Sequence, residues 1–155
     1  MPTSRLRQGM NPIMRVATVC VVALAMCSCM SHHTSLVVDT PPKGWHTSVE
    51  MEYPNSDTLG VRSVNLLTYY STNAPDNIQM VVSTISPDGY KAVDTVMCHL
   101  PRKSQGHNYF ESQTTFRADV VMRCAGNYKV TFTPTDTLDG VWAVGLNTIY
   151  DNGKR

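Results

Sequence analysis

Short segments of alternating apolar and polar residues follow one another along the chain from residue 46 onward. The clearest segment places Tyr128, Val130 and Phe132 on one face and Lys129 and Thr131 on the other, as a strand with one buried face requires. A second segment, which begins at residue 116, repeats the pattern with a partly mixed polar face. The alternation therefore predicts sheets that bury one side.

Turn residues separate these segments. Ser86-Pro87-Asp88-Gly89 predicts a tight turn because Pro presets φ and Gly accepts positive φ, so the flanking segments should form a hairpin. No segment past Gly44 repeats apolar residues at helical spacing for three turns. The predicted fold is an all-β, antiparallel β-sandwich, with an immunoglobulin-like topology as one candidate. Its predicted strands lie at 36–39, 47–53, 61–70, 78–85, 90–97, 116–123, 127–133 and 141–149.

The first thirty residues have the layout of a lipoprotein signal peptide. Three arginines precede the apolar run 16–26, and Cys27-Ser28-Cys29 follows it. As a helix the run would span about 16 Å, well short of a bilayer core of about 30 Å. Ser28 is the small residue expected before a lipidated cysteine, whereas Cys27 follows the long side chain of Met26. We therefore predict acylation of Cys29, and a start at Met1, Met10 or Met14 gives the same mature chain.

These features predict three parts of the chain. Residues 1–28 form the signal peptide, residues 29–44 form the lipidated cysteine with a flexible tether, and residues 45–155 form the sandwich domain. The tether is polar at first and ends in Pro41-Pro42, which suit an extended spacer.

Charge and motif content indicate a binding protein rather than an enzyme. The 155-residue chain has a formal net charge of +1, so no strong field would attract nucleic acid. The sequence has no GxSxG, SxxK or HExxH motif and no glycine-rich phosphate loop. We predict no catalytic residue, no metal site and no cofactor other than the covalent lipid on Cys29.

Two cysteines remain after the predicted processing. Cys98 and Cys124 could form a disulfide in an oxidising compartment. Each lies at the C-terminal end of its predicted strand, so a hairpin of those strands would hold the cysteines too far apart. The alternatives are a disulfide between non-neighbouring strands and two free thiols. The stretch 99–113, with Arg102, Lys103 and His107, is interpreted as a solvated connection.

Several of these residues also carry a resemblance to a known family. They are Trp45, Asp94-Thr95 and the closing pattern Gly126-x-Tyr128…Leu138-x-Gly140-Val141-x-x-Val144-Gly145-Leu146. Between about Trp45 and Thr148 the chain resembles the gliding-motility lipoproteins called GldH. The resemblance implies a non-enzymatic Bacteroidetes envelope lipoprotein that works with partner proteins of the gliding and type IX secretion machinery.

The residues after Cys29 refine the expected location. Met30, Ser31 and two histidines offer none of the acidic or lysine residues that accompany surface display in such bacteria. The expected site is the outer membrane, with the domain facing the periplasm. The rival hypothesis is a periplasmic carbohydrate- or peptidoglycan-binding module that uses Trp45, Trp142 and tyrosines as stacking platforms. Because Trp142 alternates with Val144 and Leu146, it is predicted to lie in the core.

Overall fold

A computed structural model describes residues 33–101 and 108–151 of the protein. Within these ranges the chain forms eight β-strands. They are β1 (His33–Asp39), β2 (Val49–Asn55), β3 (Val61–Ser71), β4 (Asn77–Ile85), β5 (Lys91–His99), β6 (Tyr109–Val121), β7 (Gly126–Pro134) and β8 (Val141–Tyr150). The predicted all-β, antiparallel sandwich is confirmed.

The strands form two four-stranded sheets that pack face to face. Sheet 1 has the order β1-β8-β3-β6 and sheet 2 the order β2-β7-β4-β5, with every pair antiparallel. The first strand therefore pairs with the last, the second with the seventh, and so on inward. This is the winding of an eight-stranded jelly roll. The immunoglobulin-like candidate is wrong. In an immunoglobulin domain the first two strands of the chain lie side by side in one sheet, whereas β1 and β2 belong to different sheets here.

The connections gather at two opposite ends of the sandwich. The chain enters the first strand at one end, and the connections 56–60, 86–90 and 122–125 lie at the same end, which we call the His33 end. The connections 40–48, 72–76 and 135–140 lie at the other end, which we call the Trp45 end. Strands β5 and β6 are edge strands on the same side of the sandwich, one in each sheet.

Alternating residues from both sheets fill the core. Tyr128, Val130 and Phe132 all point inward, as the sequence pattern predicted. Trp45 is completely buried, and its Nε1 donates to the carbonyl oxygen of Thr47 at 2.7 Å. This bond satisfies the indole N–H, so the largest side chain of the chain closes the Trp45 end without an unpaired donor.

Two predicted boundaries differ from the structure. Residues 33–39 pair with β8 along the whole strand, so the tether predicted for 29–44 ends by His33. The predicted connection 99–113 is too long, because β6 begins at Tyr109. Few apolar residues mark the start of that strand. One of them is Phe110, whose ring centroid lies 5.6 Å from that of Tyr70. Within the described ranges, no helix is long and apolar enough to cross a membrane.

A buried arginine stabilises the His33 end. Arg62 is 2% exposed, and its guanidinium donates to Asn55 Oδ1 at 3.1 Å and to the carbonyl oxygen of Asp57 at 2.6 Å. The Asp57 carboxylate lies 3.9 Å away, and the Tyr150 ring lies under the guanidinium. Asn55 in turn donates to two carbonyl groups that follow β6. Because a buried charge needs partners, we interpret this cluster as structural.

Candidate functional site

An internal cavity of about 580 Å³ lies between the sheets in the half of the sandwich nearest the His33 end. Its volume is within the range of small-molecule sites. Sheet 1 contributes Val64 and Leu146 and sheet 2 contributes Val130, while the edge strands contribute Ala92 and Phe116. Most of the lining is therefore apolar, and it comes from strands of both sheets together with the connections 86–90 and 122–125.

The cavity lies beside two irregularities in β6. Against β3, the strand has one extra residue between Val120 and Arg117 and another between Arg117 and Thr115. Within the first of these bulges, Asp119 has a φ of 55°, in the left-handed region that non-glycine residues rarely adopt. Bulges bend an edge strand and re-aim its side chains. Val120 of β6 and Met122, just after the strand, therefore line the cavity instead of filling it.

The polar atoms inside the cavity are already paired. The hydroxyl of Tyr53 lies 2.6 Å from Thr148 Oγ1, and both residues are about 1% exposed. The Tyr128 hydroxyl accepts a hydrogen bond from the backbone N–H of Cys124 at 3.2 Å. Because these groups have partners within the protein, a ligand need not satisfy them. The interior thus favours an apolar guest.

The mouth of the cavity is polar. Asp88 lies in the turn between β4 and β5, where hydrogen bonds from Ser86 and from the backbone of Tyr90 lower the pKa of its carboxyl group. The Cys124 thiol also hydrogen-bonds to this carboxylate, and this bond, together with burial, raises the pKa of Cys124. The exposed side chains of Tyr90 and Arg123 complete the rim.

An ion pair joins the two edge strands beside the cavity. Arg117 of β6 lies 2.8 Å from a carboxylate oxygen of Asp94 on β5. Since these strands belong to different sheets and share no backbone ladder, the pair links the sheets on their open side. Both side chains are partly exposed, so the contribution to stability should be small, about 0–1 kcal/mol.

A second surface feature is an aromatic groove near the Trp45 end. In the pairing of β8 with β3, Ala143 lies opposite Tyr69 and Val141 lies opposite Tyr70, so Trp142 is an extra residue in a bulge. Val141 therefore points into the core and Trp142 points outward. The centroid of the Trp142 ring lies 5.3 Å from that of Tyr69 and 5.7 Å from that of the exposed Tyr109. The prediction that Trp142 lies in the core is therefore wrong. Polar residues complete the groove, namely Lys43, Ser71, Asn73 and Asp139.

The predicted site residues have separate outcomes. Cys29 lies outside the described residues. Cys98 and Cys124 are free thiols. Cys98 pairs with Ile78 near the Trp45 end, whereas Cys124 contacts Asp88 at the His33 end, so the length of the sandwich separates them. The intramolecular disulfide is not formed. Strands β5 and β6 are non-neighbours, which is the arrangement that a disulfide required, but the two thiols lie at opposite ends.

Sequence reasoning did not find the cavity. Phe116, Val120 and Met122 were assigned to an ordinary buried face, and they do point inward. The available signal was the pair Val120-Val121, which breaks strict alternation next to Asp119. A break in period two next to a short polar residue is what a bulge produces.

Other candidate groups lie apart from one another. Glu50 and Glu52 are on the exposed face of β2, where Glu50 pairs with Lys129 at 2.7 Å. The ring of His99 is hydrogen-bonded to Asn77, and His46 contacts a backbone carbonyl. Among residues 33–101 and 108–151, no group of three or more histidine, cysteine or acidic side chains could hold a metal ion.

Comparison with known proteins gives only distant structural similarity. No protein-family model matches the sequence, and no curated protein matches it. The structure of the infectious bursal disease virus Gx strain is similar at 10% identity and a TM-score of 0.38, over 81% of this chain and 34% of that chain. The VP2 subviral particle of the same virus gives 10% identity and a TM-score of 0.38, over 80% and 34%.

The third similar structure is the enzymatically active domain of bacteriophage CBA120 tailspike protein 4. It is 13% identical with a TM-score of 0.32, over 76% of this chain and 17% of that chain. The present chain thus spans about a third or less of the length of each of these proteins.

Proposed function

We propose that the protein is a lipid-anchored envelope component that acts by binding partner proteins and not by catalysis. The anchor is an acylated Cys29, the location is the periplasmic side of the outer membrane, and the partners belong to the gliding-motility and type IX secretion machinery. The family resemblance motivates the identity of these partners.

One observation carries the anchoring part of the proposal. The first strand begins at His33, four residues after Cys29. A fully extended chain of that length spans at most about 14 Å. Two or three acyl chains on Cys29 would hold the protein durably, since each buried methylene contributes about 0.8 kcal/mol. The His33 end would then lie next to the bilayer, and the sandwich would project from it.

The edge strand β5 supports the binding part of the proposal. Edge strands expose unpaired backbone groups and can accept a strand of another protein. The outer face of β5 also exposes the large apolar side chains of Val93 and Met97. A partner that adds a strand at this edge could cover both side chains.

Replacement of the acylated cysteine tests the anchor. We expect Cys29→Ser to move the protein from the detergent phase to the aqueous phase in phase partitioning, and to abolish labelling by an alkyne fatty acid. Cys27→Ser is the matched control, since it removes a neighbouring thiol and should keep both properties. Unchanged partitioning of Cys29→Ser would refute the proposal. Crosslinking in native membranes, followed by mass spectrometry of the purified protein, tests the partners.

The aromatic groove favours a second candidate function, the binding of carbohydrate or peptidoglycan. Sugars stack on exposed aromatic rings and bond to nearby polar groups, and Tyr109 and Trp142 lie beside Asn73 and Asp139. Trp45, predicted as a platform, is buried and has no part in it. Tyr109→Ala should abolish co-sedimentation with peptidoglycan, whereas Tyr90→Ala, at the opposite end, should not. No binding by the unmodified protein would exclude this candidate.

A further inference from the structure

We propose that the cavity between the sheets binds one acyl chain of a lipid from the membrane that anchors the protein. This inference rests on the proposed function, because it requires the His33 end to lie against a bilayer. It adds a ligand site to a protein for which the anchor alone would explain membrane association.

The chemistry of the cavity selects an apolar guest. Val64, Leu146 and Val130 line it on one side, while Phe116 of the bulged strand and Met122, just after that strand, line it on the other. The buried polar atoms of the wall already have partners within the protein. A guest that brings hydrogen-bonding groups into the interior would therefore lose their hydration without compensation, whereas an apolar guest would not.

The position of the mouth selects an acyl chain among apolar guests. The rim, which includes Asp88, Tyr90 and Arg123, lies at the His33 end. With Cys29 acylated, at most about 14 Å of chain separates that end from the anchor. The mouth would therefore open at the boundary between lipid and water, where acyl chains are by far the most abundant apolar groups. The polar rim would leave the lipid headgroup outside the cavity.

Exposed side chains at the same end support contact with the bilayer. Leu59 is 84% exposed at the tip of the 56–60 connection, Tyr90 is 70% exposed beside the mouth, and Ile149 is 45% exposed near the end of β8. Three of the seven large apolar side chains exposed in the described residues thus lie at this end, where they offer apolar surface to a bilayer. Aromatic residues with a polar tip, such as Tyr90, suit the headgroup region.

Photo-crosslinking in vesicles tests the proposal on the lipidated protein. The probe is phosphatidylethanolamine that carries a diazirine near the end of one acyl chain, and crosslinked peptides are mapped by mass spectrometry. We expect crosslinks to Phe116, Val120 or Met122, each with the added mass of one intact lipid. Ala92→Trp, which fills the cavity from β5, should reduce their yield at least fivefold. Thr95→Trp, on the exposed face of the same strand, should change it less than twofold.

The other outcomes separate the two proposals. Crosslinks confined to Leu59 and Ile149 would overturn the cavity site while leaving the membrane-facing end intact. Failure of the protein to associate with vesicles would overturn the proposed anchor itself. A second preparation carries the diazirine in the Cys29 acyl group instead, and its crosslinking to the cavity would assign the site to the anchor of the protein and overturn the present proposal. If Ala92→Trp does not fold, as judged by thermal unfolding, Val120→Trp repeats the test from β6.

Discussion

At the scale of single residues, Asp88 controls the chemistry of the cavity mouth. Its carboxylate is held ionised by Ser86 and the backbone of Tyr90, and it accepts a hydrogen bond from the Cys124 thiol. Because that bond stabilises the protonated thiol, the pKa of Cys124 is raised above its ordinary value. The Cys98 thiol also has a raised pKa, but the main cause there is burial. The pKa values of the two thiols are therefore raised for different reasons.

Replacement of Asp88 separates these causes. Asp88→Asn removes the negative charge beside Cys124, so the pKa of Cys124 should fall toward its ordinary value and more thiolate should exist at pH 8. We expect iodoacetamide to alkylate Cys124 several-fold faster in this variant, as measured by mass spectrometry over time. Cys98 is the internal control, and its rate should not change in the folded protein. An unchanged rate at Cys124 would show that the carboxylate does not set its pKa.

The sequence identified both cysteines but could not place them. Spacing along the chain does not show which strands pair, and a disulfide depends on a Cα separation that only the pairing sets. The outward orientation of Trp142 could not be predicted for a similar reason. A single bulge near the start of β8 reverses which face a side chain points to.

At the scale of strands, local alternation predicted most of the fold. The observed strands β2 to β5, β7 and β8 lie within two residues of the predicted ones, because each has a buried face that enforces a period of two. The predicted strand 116–123 misses the first half of β6, residues 109–115, because polar residues dominate there. Strand β1 was predicted only in part, because its first residues are polar and its partner lies more than a hundred residues away.

The pairing of β1 depends on a close approach to β8. A Cβ atom built on Gly145 would overlap the carbonyl oxygen of Leu36 and crowd Val37 at 2.8 Å. Gly145→Val should therefore displace β1 and lower the free energy of unfolding by about 1–3 kcal/mol. Urea unfolding measures the loss, and limited proteolysis should cut within residues 33–39.

Thr137→Val, in an exposed connection, is the control for this substitution. It introduces the same valine side chain at an exposed position, where a methyl group replaces a hydroxyl group, and should change the free energy of unfolding by less than about 0.5 kcal/mol. Equal stability of Gly145→Val and the unmodified protein would mean that β1 tolerates a side chain at this contact.

At the scale of the whole molecule, the sequence predicted two packed sheets but not their strand order. Alternation shows that each strand has an inner face, but it does not show which strands lie side by side. The order is set by long-range contacts, such as Leu36 against Leu146 and Tyr53 against Tyr128. The cavity follows from that order, because it brings β5 and the bulged β6 to the same side without a shared ladder.

The pairing of first and last strands has a consequence for how the chain matures. Strand β1 is an edge strand whose ladder partner is β8, the last of the eight described strands to be synthesised. Ladders between strands so distant in sequence form slowly, since a long loop must close before any contact forms. The sandwich can be completed only after β8 has been synthesised, which would keep the chain unfolded for the export that we propose.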